Sequence, residues 1–377
     1  MLIMNYLLAI MSFFVSMSLA MIVIPKILVI AVKHSIYDNN NEERKRHEGA
    51  IPRIGGVSFV PCILFSILFV YGLFLTYSNG TANQLYDPNR VEFSFFICGL
   101  LLLYLGGVKD DLAGMRYSTK FMIQFISATL VVASGLYINN LYGLFNVYEV
   151  SPWIGMPLTV VVIVFVINAM NLIDGMDGLA SGISIFALCV YGTLFLLHGA
   201  WGYSNLAFGT IGVLIPFYYY NVFGSVKKGS KIFMGDSGSL TLGLILGFLA
   251  IRYAYYSPDI IKPTDNTLVI AVSPIIIPLL DVTRVMLSRV KRGKHIFKPD
   301  CWHIHHKLIG MGISKSMALL VILCISGGFC LMNFILIRYL NSFTIFAIDI
   351  VLWTVLNIHF SRILKKRKAV VNVEKGN

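Results

Sequence analysis

The stretch IGMPLTVVVIVFVINAMNLIDGMDG, residues 154–178, decides the reading of this chain. From 154 to 172 it is long and apolar enough to form a membrane-crossing helix, since at about 1.5 Å per residue roughly 20 apolar residues traverse a hydrocarbon core. Its far end is different. Asn168, Asn171, Asp174 and Asp177 recur at three-residue intervals and form one slanting polar stripe on a helix. A helix terminus rich in Asn, Asp and Gly accounts for Gly175 and Gly178 but not for two asparagines inside the span. Polar groups are costly in hydrocarbon, so the stripe points to function.

Working outward, the whole chain fits a bilayer. Its 377 residues are 57% hydrophobic and 13% charged, and the mean hydropathy is +0.78, which excludes a soluble protein with an ordinary charged surface. Apolar runs near residues 6–32, 54–77, 92–108, 119–138, 154–172, 179–198, 203–222, 236–256, 267–287, 316–337 and 343–361 predict an all-α polytopic integral membrane protein with about 11 transmembrane helices. The first run has no Lys or Arg before Lys26 and outlasts a signal-peptide core, so a first span is expected rather than a cleaved leader. Residues 1–364 read as a single transmembrane catalytic domain and 365–377 as a basic cytoplasmic tail that lies on anionic lipid.

The net charge of +12 is explained by topology. Loops after odd-numbered runs hold most of the basic residues, including Arg44 to Arg46, Lys109, Lys120, Lys231, Arg289 to Lys298 and Arg362 to Lys368, whereas only Arg90, Arg252, Lys262 and Arg338 fall in the others. The positive-inside rule then puts the N-terminus outside and the C-terminus in the cytoplasm. No basic stripe with interleaved aromatics appears, so no nucleic-acid partner is expected. Five of the cysteines (Cys62, Cys98, Cys189, Cys324 and Cys330) lie in apolar runs, and with Cys301 they show no CxxC spacing; disulfides and Cys metal sites are not expected.

The same topology gathers the ionisable clusters on the cytoplasmic side. Asp110 and Asp111 close the third run, a pair suited to a hard cation or a proton, although loop acids are ordinary. Lys231 to Ser239 opens the eighth run with Gly and Ser amides where a helix N-terminus favours phosphate, and Asp236 stands beside them. Gly235, Ser239, Gly243 and Gly247 form a small-xxx-small stripe that reads as close packing. His303, His305 and His306 lie in the most basic loop; without Cys or carboxylate ligands at the usual spacing they suit substrate phosphates better than zinc. Asp281 and Arg284 read as a structural ion pair, and Pro274 and Pro278 as bends in their helix. If Asp110, Asp111, Asp174, Asp177 and Asp236 converge, each close pair repels by about 4 kcal/mol at 4 Å and an effective dielectric near 20, which calls for a cation.

Together the Asp-Asp pair, the NxxNxxDGxDGLA segment at 168–180, FMGDSGSL at 233–240 and the terminal HIHH, running from about Pro52-Arg-Ile-Gly-Gly56 to Gly312, resemble the polyprenyl-phosphate N-acetylhexosamine-1-phosphate transferases, the WecA/MraY family. The resemblance implies that a lipid phosphate attacks the sugar-linked phosphorus of a UDP-N-acetylhexosamine and UMP leaves, the first step of cell-envelope glycan assembly. It implies Mg2+ or Mn2+ on Asp236 and Asn171, with Asp110 and Asp111 at the lipid phosphate, one as base. Asn168, Asn171, Asp174 and Asp177 would lie along the nucleotide, Phe233 and Asn221 at the uracil and ribose, and Lys120, Arg289 and the three histidines at phosphates. The HIHH form resembles the WecA-like branch, which favours UDP-GlcNAc or a related UDP-N-acetyl sugar over UDP-MurNAc-pentapeptide; Cys301-Trp302 departs from the expected pattern. The implied setting is the inner (plasma) membrane with the site on its cytoplasmic face, the partners being UDP-sugar, polyprenyl phosphate and membrane lipid, with a homodimer left open. A secondary transporter or lipid carrier, the rival class, would place polar groups at the bilayer midplane with inverted repeats, and neither is seen.

Overall fold

The structure, a computed structural model, describes residues 2–34, 51–77, 90–257, 264–293 and 302–374. Arg44 to Arg46, Lys262, Lys294, Lys298 and Cys301 lie outside the described residues. Among the described residues, ten helices are long and apolar enough to cross a membrane. The segment expected as a crossing at 119–138 forms a shorter apolar helix of 17 residues, α4 (Tyr117–Ala133). It stops at Ser134, before Gly135 with φ +92°, so it falls short of the expected length. One small departure from an all-helical chain is a two-stranded hairpin, β1 (Asn140–Leu144) and β2 (Val147–Glu149).

Two compact units divide the chain. The first comprises Met1–Asn140 and Glu149–Pro263. It contains α1 (Leu2–Lys33), α2 (Phe59–Tyr77), α3 (Arg90–Ala113), α4, α5 (Pro152–Ile173), α6 (Leu179–Leu197), α7 (Trp201–Tyr218) and α8 (Gly235–Ala254). Helix α8 is its axis: every residue from Ser237 to Ala254 is buried, with α3 and α5 packed along it. Its small residues permit this. A Cβ added at Gly243 would stand 2.5 Å from Ile167 Cα of α5, so the expected small-residue packing is present.

The second unit comprises Leu141–Tyr148 and Thr264–Asn377. The span Thr267–Lys291 is broken at Pro274, where a 3-10 turn (Ser273–Ile275) separates α9 (Thr267–Val272) from α10 (Ile276–Lys291), in line with the expected bend. Then follow α11 (Ile304–Gly310), α12 (Lys315–Leu336) and α13 (Ser342–Glu374). Helix α13 passes unbroken through the 364–365 boundary. Inside this unit Asn333 donates to both Ser273 Oγ and Asp349 Oδ2 at 3.0 Å, a fully buried polar trio of the kind that ties apolar helices together.

Candidate active site

Three helix ends of the first unit bring the acidic motifs together. The C-terminal turn of α3 supplies Asp110 and Asp111, the end of α5 supplies Asn171, and the first turn of α8 supplies Asp236. Lys120 of α4 joins them, its Nζ 2.8 Å from Asp236 Oδ2 and 3.2 Å from Asp110 Oδ2. Asn171 Nδ2 donates to Asp236 Oδ1 at 2.5 Å and to Ser239 Oγ at 2.8 Å. Three residues expected from distant motifs, Asp110, Lys120 and Asn171, therefore meet around the Asp236 carboxylate. Beside them a narrow crevice is walled by Leu103, Met115, Ile123 and Leu240, with Asp110 and Lys120 as its charged edge.

Asp111 has another job. Its Oδ1 accepts the Asp236 amide at 2.6 Å, and its Oδ2 accepts the Ser237 amide at 2.9 Å and the Ser237 hydroxyl at 2.6 Å. It thus caps α8 from another helix, satisfying amides that every helix N-terminus leaves open and placing an anion at the positive dipole end. The amides expected to receive a phosphate are partly occupied by this carboxylate.

The loop after α5 is braced in the same way. Asp177 pairs with Lys231 at 2.8 Å. Buried Asn221 accepts from the Gly178 amide at 2.7 Å and donates to the Ile232 carbonyl at 2.8 Å, so it brackets two motif segments together. Asn168 donates to Gln124 Oε1 at 2.6 Å and to Val164 O at 2.8 Å. Asp174 keeps part of its surface open. Yet burial of its carboxyl holds it well above the usual carboxylate range, Arg53 opposing and Asp236, Asp111 and Asp177 adding to the rise.

Lys231 and Arg53 fall within the sequence motifs but are not among the expected site residues. Arg53 stands in the Pro52–Gly56 segment, whose backbone pairs with the motif before α8: Phe233 N donates to Pro52 O at 2.8 Å, Gly55 N to Phe233 O at 3.0 Å and Gly56 N to Met234 O at 2.8 Å. A basic residue beside a Gly-Gly pair was the available signal. Phe233 is fixed through this ladder.

In the second unit the histidine turn is built on Asp281. Asp281 Oδ1 pairs with Arg284 at 2.7 Å, as expected, and its Oδ2 also takes His303 Nδ1 at 2.8 Å. Arg284 further donates to Trp302 O at 2.6 Å, and Arg292 lies 4.8 Å over the Trp302 ring, which gives the departure at Trp302 a structural reason. His305 is 1% exposed, its ring parallel to His303 at 5.9 Å and tilted against His306 at 4.1 Å between centroids. Neither of its ring nitrogens has a hydrogen-bond partner among the described residues. Arg289 is buried in this unit as well.

As metal ligands, Asp236, Asp110 and the Asn171 amide are hard oxygen donors suited to Mg2+. Among the described residues no three His, Cys, Asp or Glu side chains converge on one point. The set therefore fits a cation that keeps water or substrate phosphate in much of its shell, the habit of Mg2+.

Comparison with known proteins agrees with this geometry. The sequence model of glycosyl transferase family 4 matches residues 93–254, the stretch that holds Asp110, Lys120, Asn171 and Asp236. A probable undecaprenyl-phosphate N-acetylglucosaminyl 1-phosphate transferase of Bacillus subtilis (strain 168) is 31% identical over 347 residues, 90% of this chain and 88% of that protein. The undecaprenyl-phosphate alpha-N-acetylglucosaminyl 1-phosphate transferases of Yersinia pestis and Escherichia coli (strain K12) are each 28% identical, covering 78% of this chain and 74% of their own. With motifs, geometry and near full-length similarity in accord, this chain belongs to glycosyl transferase family 4.

Proposed function

We propose that this protein transfers GlcNAc-1-phosphate from UDP-GlcNAc to undecaprenyl phosphate and releases UMP, opening the assembly of a cell-envelope glycan. The observation that carries the reading is Lys120 bridging Asp110 and Asp236, a charged centre with the apolar side chains of Leu103, Ile123 and Leu240 beside it. The names of the relatives support the choice of sugar and lipid. Another UDP-N-acetyl sugar would use the same chemistry.

In the reaction an oxygen of the lipid phosphate attacks the sugar-linked phosphorus. The bond from that phosphorus to the UMP oxygen breaks, and UMP carries away the electron pair. Lys120 offsets the charge of the incoming lipid phosphate, and Asp110 takes any proton it carries. Asp111 is committed to capping α8, which keeps Asp236 at a fixed point. Asn171 orients Asp236, while Asp177, Lys231 and Phe233 border the nucleotide. Mg2+, held by Asp236 with Asn171, would neutralise charge that develops on the phosphates. The histidine turn serves the donor phosphates. Positioning and charge neutralisation are what phosphoryl transfer chiefly needs.

The topology belongs to the same proposal: eleven crossings counting α4, the N-terminus outside, and the acidic cluster on the cytoplasmic face of the inner membrane, where the UDP-sugar arrives through water and the lipid through the bilayer. The test is UMP release by purified protein given UDP-GlcNAc and undecaprenyl phosphate. Turnover that needs both substrates and is lost in Asp236→Asn supports the reading; full turnover in that variant overturns it.

A further inference from the structure

The turn that carries the histidines is gripped at both ends within the second unit. At its start, Asp281 of α10 holds His303 Nδ1 and accepts the Ile304 amide at 3.3 Å. At its finish the grip comes from α13. Lys307, the residue after His306, is 5% exposed, and its Nζ donates to Asn357 Oδ1 and Ser361 Oγ, each at 3.0 Å. Both acceptors are themselves fixed: Asn357 Nδ2 donates to Trp353 O at 3.0 Å and Ser361 Oγ to Asn357 O at 2.7 Å.

Further contacts close the same junction. The Arg367 guanidinium meets the Met311 carbonyl. Leu364 lies so close to Gly310 that a Cβ there would stand 2.9 Å from it. Asn357, Ser361 and Leu364 follow at helical spacing and so share one face of α13. A helix of 33 residues is about 50 Å long, well beyond what a hydrocarbon core of roughly 30 Å requires. The contacts with α11 run from Asn357 to Arg367, the stretch where the helix completes its crossing and continues beyond it.

The chemistry of the latch is informative. Burying an ammonium is costly, and a plain hydrophobic side chain would pack at lower cost. Here the partners are an amide oxygen and a hydroxyl, which orient the ammonium without neutralising it. The positive charge therefore stays on the short helix that also carries His305 and His306. Residues 304–367 also lie past the 93–254 stretch that the family match covers.

We infer that the C-terminal half of α13 is a positioning element for the histidine turn, with Lys307, Asn357 and Ser361 as its latch, so that the grip on the donor's diphosphate depends on the C-terminal helix. This rests on the reading that the turn serves donor phosphates. Lys307 acts through its neighbours and is a positioning residue.

The test uses the purified full chain with UDP-GlcNAc and undecaprenyl phosphate, taking Lys307→Met, Asn357→Leu, Ser361→Ala and Ser361→Thr. Lys307→Met and Asn357→Leu raise the KM for UDP-GlcNAc about tenfold or more and leave the KM for the lipid within about twofold. The thermal midpoint stays near that of the wild type. Ser361→Ala shows a smaller rise of the same kind and carries the test if the other two fail to fold, while Ser361→Thr, which keeps the hydroxyl, restores the donor KM. Equal changes in both KM values together with a lowered thermal midpoint reduce the latch to ordinary packing and overturn the inference, as do unchanged donor KM values in folded variants. Wild-type protein that releases no UMP from any UDP-N-acetyl sugar overturns the transferase reading itself and the latch with it, a different result from the other two.

Discussion

The amide of Asp236 donates to Asp111 Oδ1 at 2.6 Å, so one aspartate of the sequence pair caps the helix on which the central carboxylate sits. Its neighbour Asp110 faces Lys120 instead. Adjacent residues of the same type thus divide two roles. Asp111→Ala strands two backbone amides and a hydroxyl, and bonds to a charged acceptor are each worth about 1.5–3 kcal/mol. We expect this variant to melt several degrees lower and to lose activity because Asp236 shifts. Asp110→Asn, by contrast, should keep its thermal midpoint and lose turnover by about a hundredfold. Melting curves and UMP release measured side by side decide the matter, and equal melting losses in the two variants would refute the division.

The Pro52–Gly56 segment makes a second prediction. A Cβ on Gly56 would fall 2.1 Å from the Gly238 amide nitrogen and 2.3 Å from its Cα, distances that only backbone movement can relieve. Gly56→Ala should therefore displace the first turn of α8, lower the thermal midpoint and reduce transfer, although Gly56 bears no chemical group. Retention of wild-type stability and activity would show that the two backbones can separate at little cost.

The spans were legible because apolar runs of bilayer length leave few alternatives. The misjudged length of α4 arose where the apolar run outlasts the helix, past Ser134 and Gly135. The β1–β2 hairpin carries no Asn-Gly or Asp-Gly signal, and its turn instead places Phe145 and Asn146 at positive φ. Asp349 passed unnoticed because one carboxylate did not interrupt the run from 343 to 361; only packing reveals that it accepts from Asn333. At the site, residue types pointed to a cluster that the fold does bring together around Asp236 but not to the partner of each side chain. Asp, Asn and Lys ligate, cap and brace with the same atoms, so the cap at Asp111, the bracket at Asn221 and the latch at Lys307 appear only when partners from remote helices are in place.

Charge balance underlies a third prediction. Lys120 is the cation that bridges Asp110 and Asp236, and two substrates would add the charges of a diphosphate and a lipid phosphate. One ammonium cannot offset these, since like charges at 4 Å repel by about 4 kcal/mol even at an effective dielectric near 20. Excess chelator should abolish transfer, and Mg2+ or Mn2+ should restore it. Undiminished turnover in chelator would mean that basic side chains suffice.

The histidine turn should make stability depend on pH in a direction that can be worked out. Burial above all, then His306 and His303, pushes the pKa of His305 from its ordinary 6.5 down to about 3, with Asp281 opposing. Between those values the unfolded chain binds a proton that the native ring refuses, so unfolding becomes easier as pH falls. The contribution is complete above about 6.5 and is lost progressively toward 3. Lys307, lowered by burial from 10.5 to about 8, works in the same direction but in a separate, alkaline window, where stability rises with pH. Thermal midpoints recorded from pH 7 to pH 4 should therefore fall in the wild type and fall less in His305→Phe, which fills the same space without titrating. Parallel slopes for the two proteins would place the acid sensitivity elsewhere.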